Sequence, residues 1–243
     1  RVKTIPLSIH KEVTGNKNVK ILMASDLHFG SMIGARMEKK FLDIVKQQKP
    51  DLVLLCGDLL DGEIAPVLRK RLGNHIQDIS TPMGVYAITG NHEYIGGISK
   101  ALSYLKSVGI QVLVDSVITL PNGIQLAGRN DLQAANMGSS RKSLDSLLIG
   151  IDYNKPIIVM NHQPYSLHEV HDLQVDMHLS GHTHHGQMWP LHYITEAIFE
   201  LSWGYSQINN THFYVSSGFG TWGPRVRVGN SPEVVVFDVS FTK

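Results

Sequence analysis

Cysteine occurs once, at Cys56, so no disulfide within the chain can staple the fold. No apolar run reaches roughly 18 residues, so nothing in the sequence reads as a bilayer-spanning helix, and no signal-peptide pattern opens the chain. Neither sign of charge is in excess: 22 Lys and Arg face 21 Asp and Glu, a formal net charge of +1. That removes the broad field that would make nucleic acid or an anionic surface the obvious partner and leaves only a local basic patch. The P-loop pattern is missing, which excludes that cradle for nucleotide phosphates. There are no repeats, low-complexity tracts or Pro/Ser-rich linkers, so residues 1–243 read as one domain. The first residue is Arg rather than Met. The chain is therefore expected to be a piece of a longer or processed protein, whose upstream anchor, if any, lies outside it.

What is present is globular in balance. The 243 residues are 42% hydrophobic and 18% charged, enough to bury a sizeable core and too apolar for a disordered polymer. Continuous apolar runs at Lys20–Ser25, Asp51–Cys56, Gly84–Thr89, Pro156–Met160 and Asp176–Leu179 read as buried strands. Further strands are expected at Gln111–Asp115, Val117–Leu120, Ile124–Ala127, Phe213–Ser217 and Glu233–Val239, with Pro121-Asn122-Gly123 as a turn. Helical spacing marks Gly34–Gln48, Ala65–Ile79, Ile98–Val108 and Ser143–Leu148. Strand–helix alternation followed by strand-rich sequence predicts an α/β fold with a mixed sheet or two packed sheets.

The 13 histidines are the unusual number, and their positions give them meaning. Five of the apolar runs end in Asp, Asn or His beside small residues: Ser25-Asp26-Leu27-His28, Gly57-Asp58-Leu59-Leu60-Asp61, Gly90-Asn91-His92-Glu93, Asn161-His162-Gln163-Pro164 and Gly181-His182-Thr183-His184. Open α/β sheets bind ligands at the carboxyl ends of their strands. Convergence would place Asp26, His28, Asp58, Asn91, His162, His182 and His184 in one cleft. These donors are too many for one tetrahedral zinc and suit two cations sharing a carboxylate. Imidazole, carboxylate and amide oxygen, with no thiolate, point to Zn, Fe or Mn. Two divalent ions beside two aspartates leave a positive site, suited to an anionic ester.

In this order, D-x-H, G-D-x-x-D, G-N-H-E, N-H-x-P and G-H-x-H resemble the calcineurin-like metallophosphoesterase superfamily, from about Val19 to His184. The block Leu179–Gln187, with Pro224, Arg225 and Pro232-Glu233, looks like the bacterial phosphodiesterase branch whose members often carry an N-terminal membrane anchor. His185 departs from it, standing where that branch usually has Gly. The resemblance implies a four-layer α/β/β/α sandwich of two mixed sheets. It implies Asp26, His28, Asp58 and His184 on one metal and Asp58, Asn91, His162 and His182 on the other. His92 would assist as catalytic residue while a hydroxide bridging the metals attacks phosphorus in line. Asp61 and Glu93 are expected to accept from the histidines and orient them. The reading is a phosphodiesterase acting on a small or lipid-like phosphoester, with no stable nucleic-acid partner; membrane association would come through a segment outside this chain. The alternatives are a phosphomonoesterase or nuclease on the same site, an amide hydrolase, or a metal-binding scaffold without catalysis.

Other motifs weigh less. His168-Glu169-Val170-His171 lacks the i, i+4 histidine spacing of a zinc protease. Gly218–Gly223 matches G-x-G-x-x-G, but Pro224–Val228 reads as loop then strand rather than the helix a dinucleotide site needs. Arg225 or Arg227 could bind a phosphate oxygen or serve as an edge-strand charge. Phe199, Leu201, Trp203, Tyr205, Phe213, Phe219 and Trp222 read as core and loop packing, or as an apolar wall beside the metals. Cys56 reads as a core residue.

Overall fold

A computed structural model describes residues 1–242. In chain order the elements are β1 (Val2–Ile9), β2 (Asn18–Ala24), α1 (Ala35–Gln48), β3 (Leu52–Cys56), α2 (Ile64–Lys70), β4 (Val85–Ile88), α3 (Asn91–Ile95), α4 (Ile98–Ser107), β5 (Gln111–Leu113), β6 (Ser116–Thr119) and β7 (Gln125–Gly128). They continue with α5 (Gln133–Asn136), α6 (Leu144–Leu147), β8 (Ile157–Met160), α7 (Leu167–Asp172), β9 (Met177–Ser180), α8 (His192–Ile198), β10 (Gly204–Ile208), β11 (Thr211–Val215) and β12 (Val234–Phe241). Two mixed six-stranded sheets form, ordered β1-β12-β2-β3-β4-β5 and β10-β11-β9-β8-β7-β6.

The apolar runs form strands because both of their faces are covered. In β3, Leu52, Leu54 and Cys56 join a core that also takes Leu126, Ile158, Met160 and Leu179 from the other sheet. Val53 and Leu55, on the opposite face, pack with Phe41 and Val45 of α1 and Leu105 of α4. The outer face of the second sheet buries Val159 and Phe213 under Leu144 and Leu147 of α6 and Leu167 and Val170 of α7. These three cores are the seams of an α/β/β/α sandwich. Parallel pairing of β2 with β3, β3 with β4, and β8 with β9 sends their carboxyl ends to a common edge within each sheet.

Several local expectations change. The helix expected over Ala65–Ile79 stops at Lys70, and a separate 3-10 turn covers Asn74–Asp78. The buried Glu38 carboxylate of α1 accepts from Gly73 N at 3.0 Å and His75 N at 3.3 Å, drawing the chain out of the helix. No strand forms over Pro224–Val228 among the described residues; only a bridge between Met188 and Val228 is made. Strand β1 is additional. Its Pro6 argues against a strand in sequence, but β1 lies at a sheet edge, where a missing N–H is tolerated.

Candidate metal centre and its cleft

The loops after β2, β3, β4, β8 and β9 carry the candidate donors, and five of the seven sit on left-handed backbone: Asp26, His28, Asp58, His182 and His184, with φ from 47° to 72°. Such geometry costs of order 1–3 kcal/mol per residue for non-glycine side chains and persists where surrounding contacts impose it. Here those contacts run between loops: Asp26 N donates to Gly57 O at 3.0 Å and His28 N to Asp58 O at 3.0 Å.

The donors converge as two groups. Asp26, His28 and His184 offer ligand atoms within 4.8 Å of one another, as do Asp58, His162 and His182. In the first group, Nε2 of His28 and Nε2 of His184 are 3.1 Å apart, and Asp26 Oδ1 lies 3.4 Å from the latter. In the second, Asp58 Oδ2 is 3.1 Å from His162 Nε2, and Asn91 Oδ1 is 3.0 Å from His182 Nδ1. Asp58 Oδ2 also lies 3.9 Å from His28 Nε2, so this carboxylate faces both groups. All seven candidate donors and His92 therefore surround one site.

Neighbours fix how these groups point. His162 Nδ1 is 2.8 Å from Cys56 O, an N–H···O=C contact that leaves the buried Nε2 turned inward onto Asp58 Oδ2. Asp61 Oδ1 stands 3.5 Å from His28 Nδ1 and 3.4 Å from His92 Nδ1, so its charge faces both rings. Glu93 does something different from the expectation. It accepts from Asp58 N at 3.1 Å, Leu60 N at 2.9 Å and Gly90 N at 2.7 Å, so it shapes the backbone under Asp58 rather than any histidine. Burial and the adjacent Asp58 push its carboxyl up to about 7 against those donors.

Electrostatics divide the histidines. Burial lowers His182 to about 3 and holds His184 well below its usual range. Burial also opposes the His162 imidazolium, but Asp58 and Asp26 outweigh it and hold His162 well above. Burial raises Asp26, while His162 and His28 overcome burial at Asp58 and keep it ionised. Two buried carboxylates packed with His182 and His184, both held toward the neutral form, suit divalent cations, which would compensate the carboxylate charge and take up the imidazole lone pairs.

Two glycines permit the close packing. A Cβ at position 181 would fall 2.5 Å from both Asp26 Oδ2 and Ser25 Oγ, and one at position 90 would strike the Asp58 carboxylate. Gly181→Ala is expected to displace Asp26 and weaken metal affinity about 10–100-fold, the range for disturbing a ligand's support. Isothermal titration of metal-stripped protein checks this; unchanged affinity would show that the loop yields without moving Asp26.

The cleft over the donors has a volume of about 390 Å³ and is lined by His28, Asp58, Asn91, His92, His182 and His184 together with Leu191, Ile194, Phe199 and Trp222. Of the seven residues considered for an apolar wall, Phe199 and Trp222 belong to it, whereas Phe213 and Phe219 are buried core. Leu191 and Ile194 escaped sequence reasoning, which assigned no element to their segment. Arg227 spends its guanidinium on Ser217 O at 2.8 Å, Gly218 O at 3.1 Å and His184 Nδ1 at 3.2 Å, clamping the 217–220 loop to a candidate ligand. Arg225, farther along the chain, is exposed. His185 turns from the donors and packs on Trp203, ring centroids 4.9 Å apart. His168 pairs with Glu200 and His171 with Asp172, away from any common centre. Cys56 lies in the inter-sheet core, where burial pushes its thiol up.

The family model described as calcineurin-like phosphoesterase matches residues 19–186. The chain is 32% identical over 231 residues to an uncharacterized metallophosphoesterase of Campylobacter jejuni, covering 93% of this chain and 60% of that protein. It is 29% identical over 248 residues to a bovine (Bos taurus) transmembrane protein with metallophosphoesterase domain, covering 96% of this chain and 55% of that one. The chain thus spans little more than half the length of these relatives. In fold it is similar to the crystal structure of a calcineurin-like phosphoesterase, YfkN, from Bacillus subtilis, with a TM-score of 0.52 at 15% identity, covering 84% of this chain and 82% of that chain.

Proposed function

This chain belongs to the calcineurin-like phosphoesterase family, and from that membership we propose that it is a metal-dependent phosphoester hydrolase that prefers diesters. The observation that carries the reading is the pair of donor groups joined through Asp58. Asp26, His28, Asp58 and His184 would hold one divalent ion, and Asp58, Asn91, His162 and His182 the other, with Mn, Zn or Fe suited to that donor chemistry. Bound ions would supply Lewis-acid charge at the phosphoryl oxygens and a nucleophile at neutral pH.

The chain's own groups complete the chemistry. His92 lies at the cleft with Nδ1 against Asp61 and Nε2 free for substrate. Burial disfavours its imidazolium, but Asp61 and Asp58 outweigh burial and raise its pKa. His92 would give a proton from Nε2 to the leaving oxygen. Leu191, Ile194, Phe199 and Trp222 exclude water beside the reacting ester and favour a substituent with apolar bulk. These walls and the near-neutral charge speak for a small or lipid-like phosphoester over an extended polyanion.

Elemental analysis of untreated protein, followed by metal add-back and a substrate panel, tests the reading. Bis(p-nitrophenyl) phosphate is expected to be turned over faster than the mono-ester. Clear preference for the mono-ester would reverse the diester assignment, and a metal-replete protein inactive on every ester would remove the hydrolase.

A further inference from the structure

Helix α8 is built the wrong way round for a globular surface. Tyr193, Ile194, Ala197 and Ile198 fall on one arc at helical spacing, while His192, Thr195 and Glu196 occupy the other. No residue of the helix is buried, and Tyr193, Ile194 and Ile198 are 62%, 56% and 55% exposed. The apolar arc therefore faces outward. Just before the helix in the chain stands Trp189, 62% exposed and tied to Val228 O through its backbone N at 2.8 Å. Trp222, also exposed, is held to Gln187 by Trp222 N→Oε1 at 3.1 Å and Nε2→Trp222 O at 2.9 Å. Isolated apolar residues on a surface need no explanation, but a contiguous set of this kind marks an interaction site.

We propose that the outward face of α8, with Trp189 and Trp222 beside it, docks on a lipid bilayer and presents the cleft to lipid phosphoesters. Three observations select a bilayer. The patch mixes aliphatic side chains with Trp and Tyr, whose apolar bodies and polar tips suit the headgroup boundary. Exposed Arg225 follows Trp222 on the same loop and complements anionic headgroups. The nearby acids do not oppose it, since Glu196 lies on the polar arc and Glu200 accepts from Leu167 N and pairs with His168. Finally, the patch is continuous with the cleft, because Leu191, Ile194 and Trp222 line both. A similar domain also occurs in a transmembrane bovine protein. The inference rests on the hydrolase reading only for what the cleft does there.

Flotation with vesicles of phosphatidylethanolamine and phosphatidylglycerol tests it, using the chain and a Tyr193→Ser/Ile198→Ser double variant. Neither replaced residue lines the cleft. The chain is expected to float with the vesicles and the variant to bind about tenfold more weakly, as loss of buried apolar surface requires, with hydrolysis of soluble bis(p-nitrophenyl) phosphate unchanged. In a Trp203→Phe background the remaining Trp189 and Trp222 should be quenched by lipids brominated in their acyl chains. Equal flotation of chain and variant, or no quenching, would overturn the docking face. So would a failure to float combined with a concentration-dependent dimer that the variant abolishes, which would make a second copy the occupant. Vesicle binding by a protein inactive on all esters would leave the face standing and remove the hydrolase instead.

Discussion

Asp58→Asn is expected to remove bound metal and activity together, with turnover falling on the order of 10³-fold because several kcal/mol of transition-state charge stabilisation leaves with the ions. Asp58 Oδ1 accepts from His92 N at 2.9 Å, and an asparagine can keep that bond with its amide oxygen. Its Nδ2 must then occupy the Oδ2 position, facing His162 and His28, and present hydrogens where lone pairs are required. Both donor groups lose their shared anion at once. The fold should survive, since the substitution also relieves repulsion between Asp58 and the buried carboxylates Asp26 and Glu93. Elemental analysis and thermal melting with and without added Mn separate these effects. The unsubstituted chain should gain melting temperature with metal, as any ligand of the native state confers, and the variant should not. A variant that keeps both ions at full occupancy would show that Asp58 does not join the groups.

The candidate donors were legible because each follows an apolar run that forms a strand, buried throughout in β3, β8 and β9. The backbone that aims those donors was not legible. Asp26, His28, Asp58, His182 and His184 take a left-handed conformation that none of their residue types demands. It is imposed by contacts between loops far apart in sequence, such as Asp26 N to Gly57 O. Glu93 was misread for the same reason: its three backbone partners belong to positions 58, 60 and 90, and only the folded chain gathers them. Helix α8 escaped because sequence reasoning seeks a helix with its apolar face inward, and this one buries nothing. The early stop of α2 likewise depends on Glu38, a residue of another helix.

His92→Ala should have the opposite signature to Asp58→Asn: metal retained, turnover reduced 10²–10⁴-fold, the usual worth of a positioned acid. The backbone N of residue 92, which supports Asp58, is unaffected by truncating the side chain. What disappears is the imidazole held by Asp61, with its raised pKa. A group that must be protonated loses its contribution as pH rises through its pKa, so the unsubstituted enzyme should slow on the alkaline side and His92→Ala should lack that limb. Asp61→Asn, which removes the charge sustaining the imidazolium, should move the limb to lower pH while leaving it visible. Leaving groups decide what His92 does. An alkoxide needs a proton to depart, whereas p-nitrophenolate leaves as an anion. The deficit of His92→Ala should therefore be large for an alkyl ester and small for a p-nitrophenyl ester. Equal deficits would mean that His92 stabilises charge on the phosphoryl oxygens rather than delivering a proton, and loss of metal in His92→Ala would return it to a ligand-supporting role.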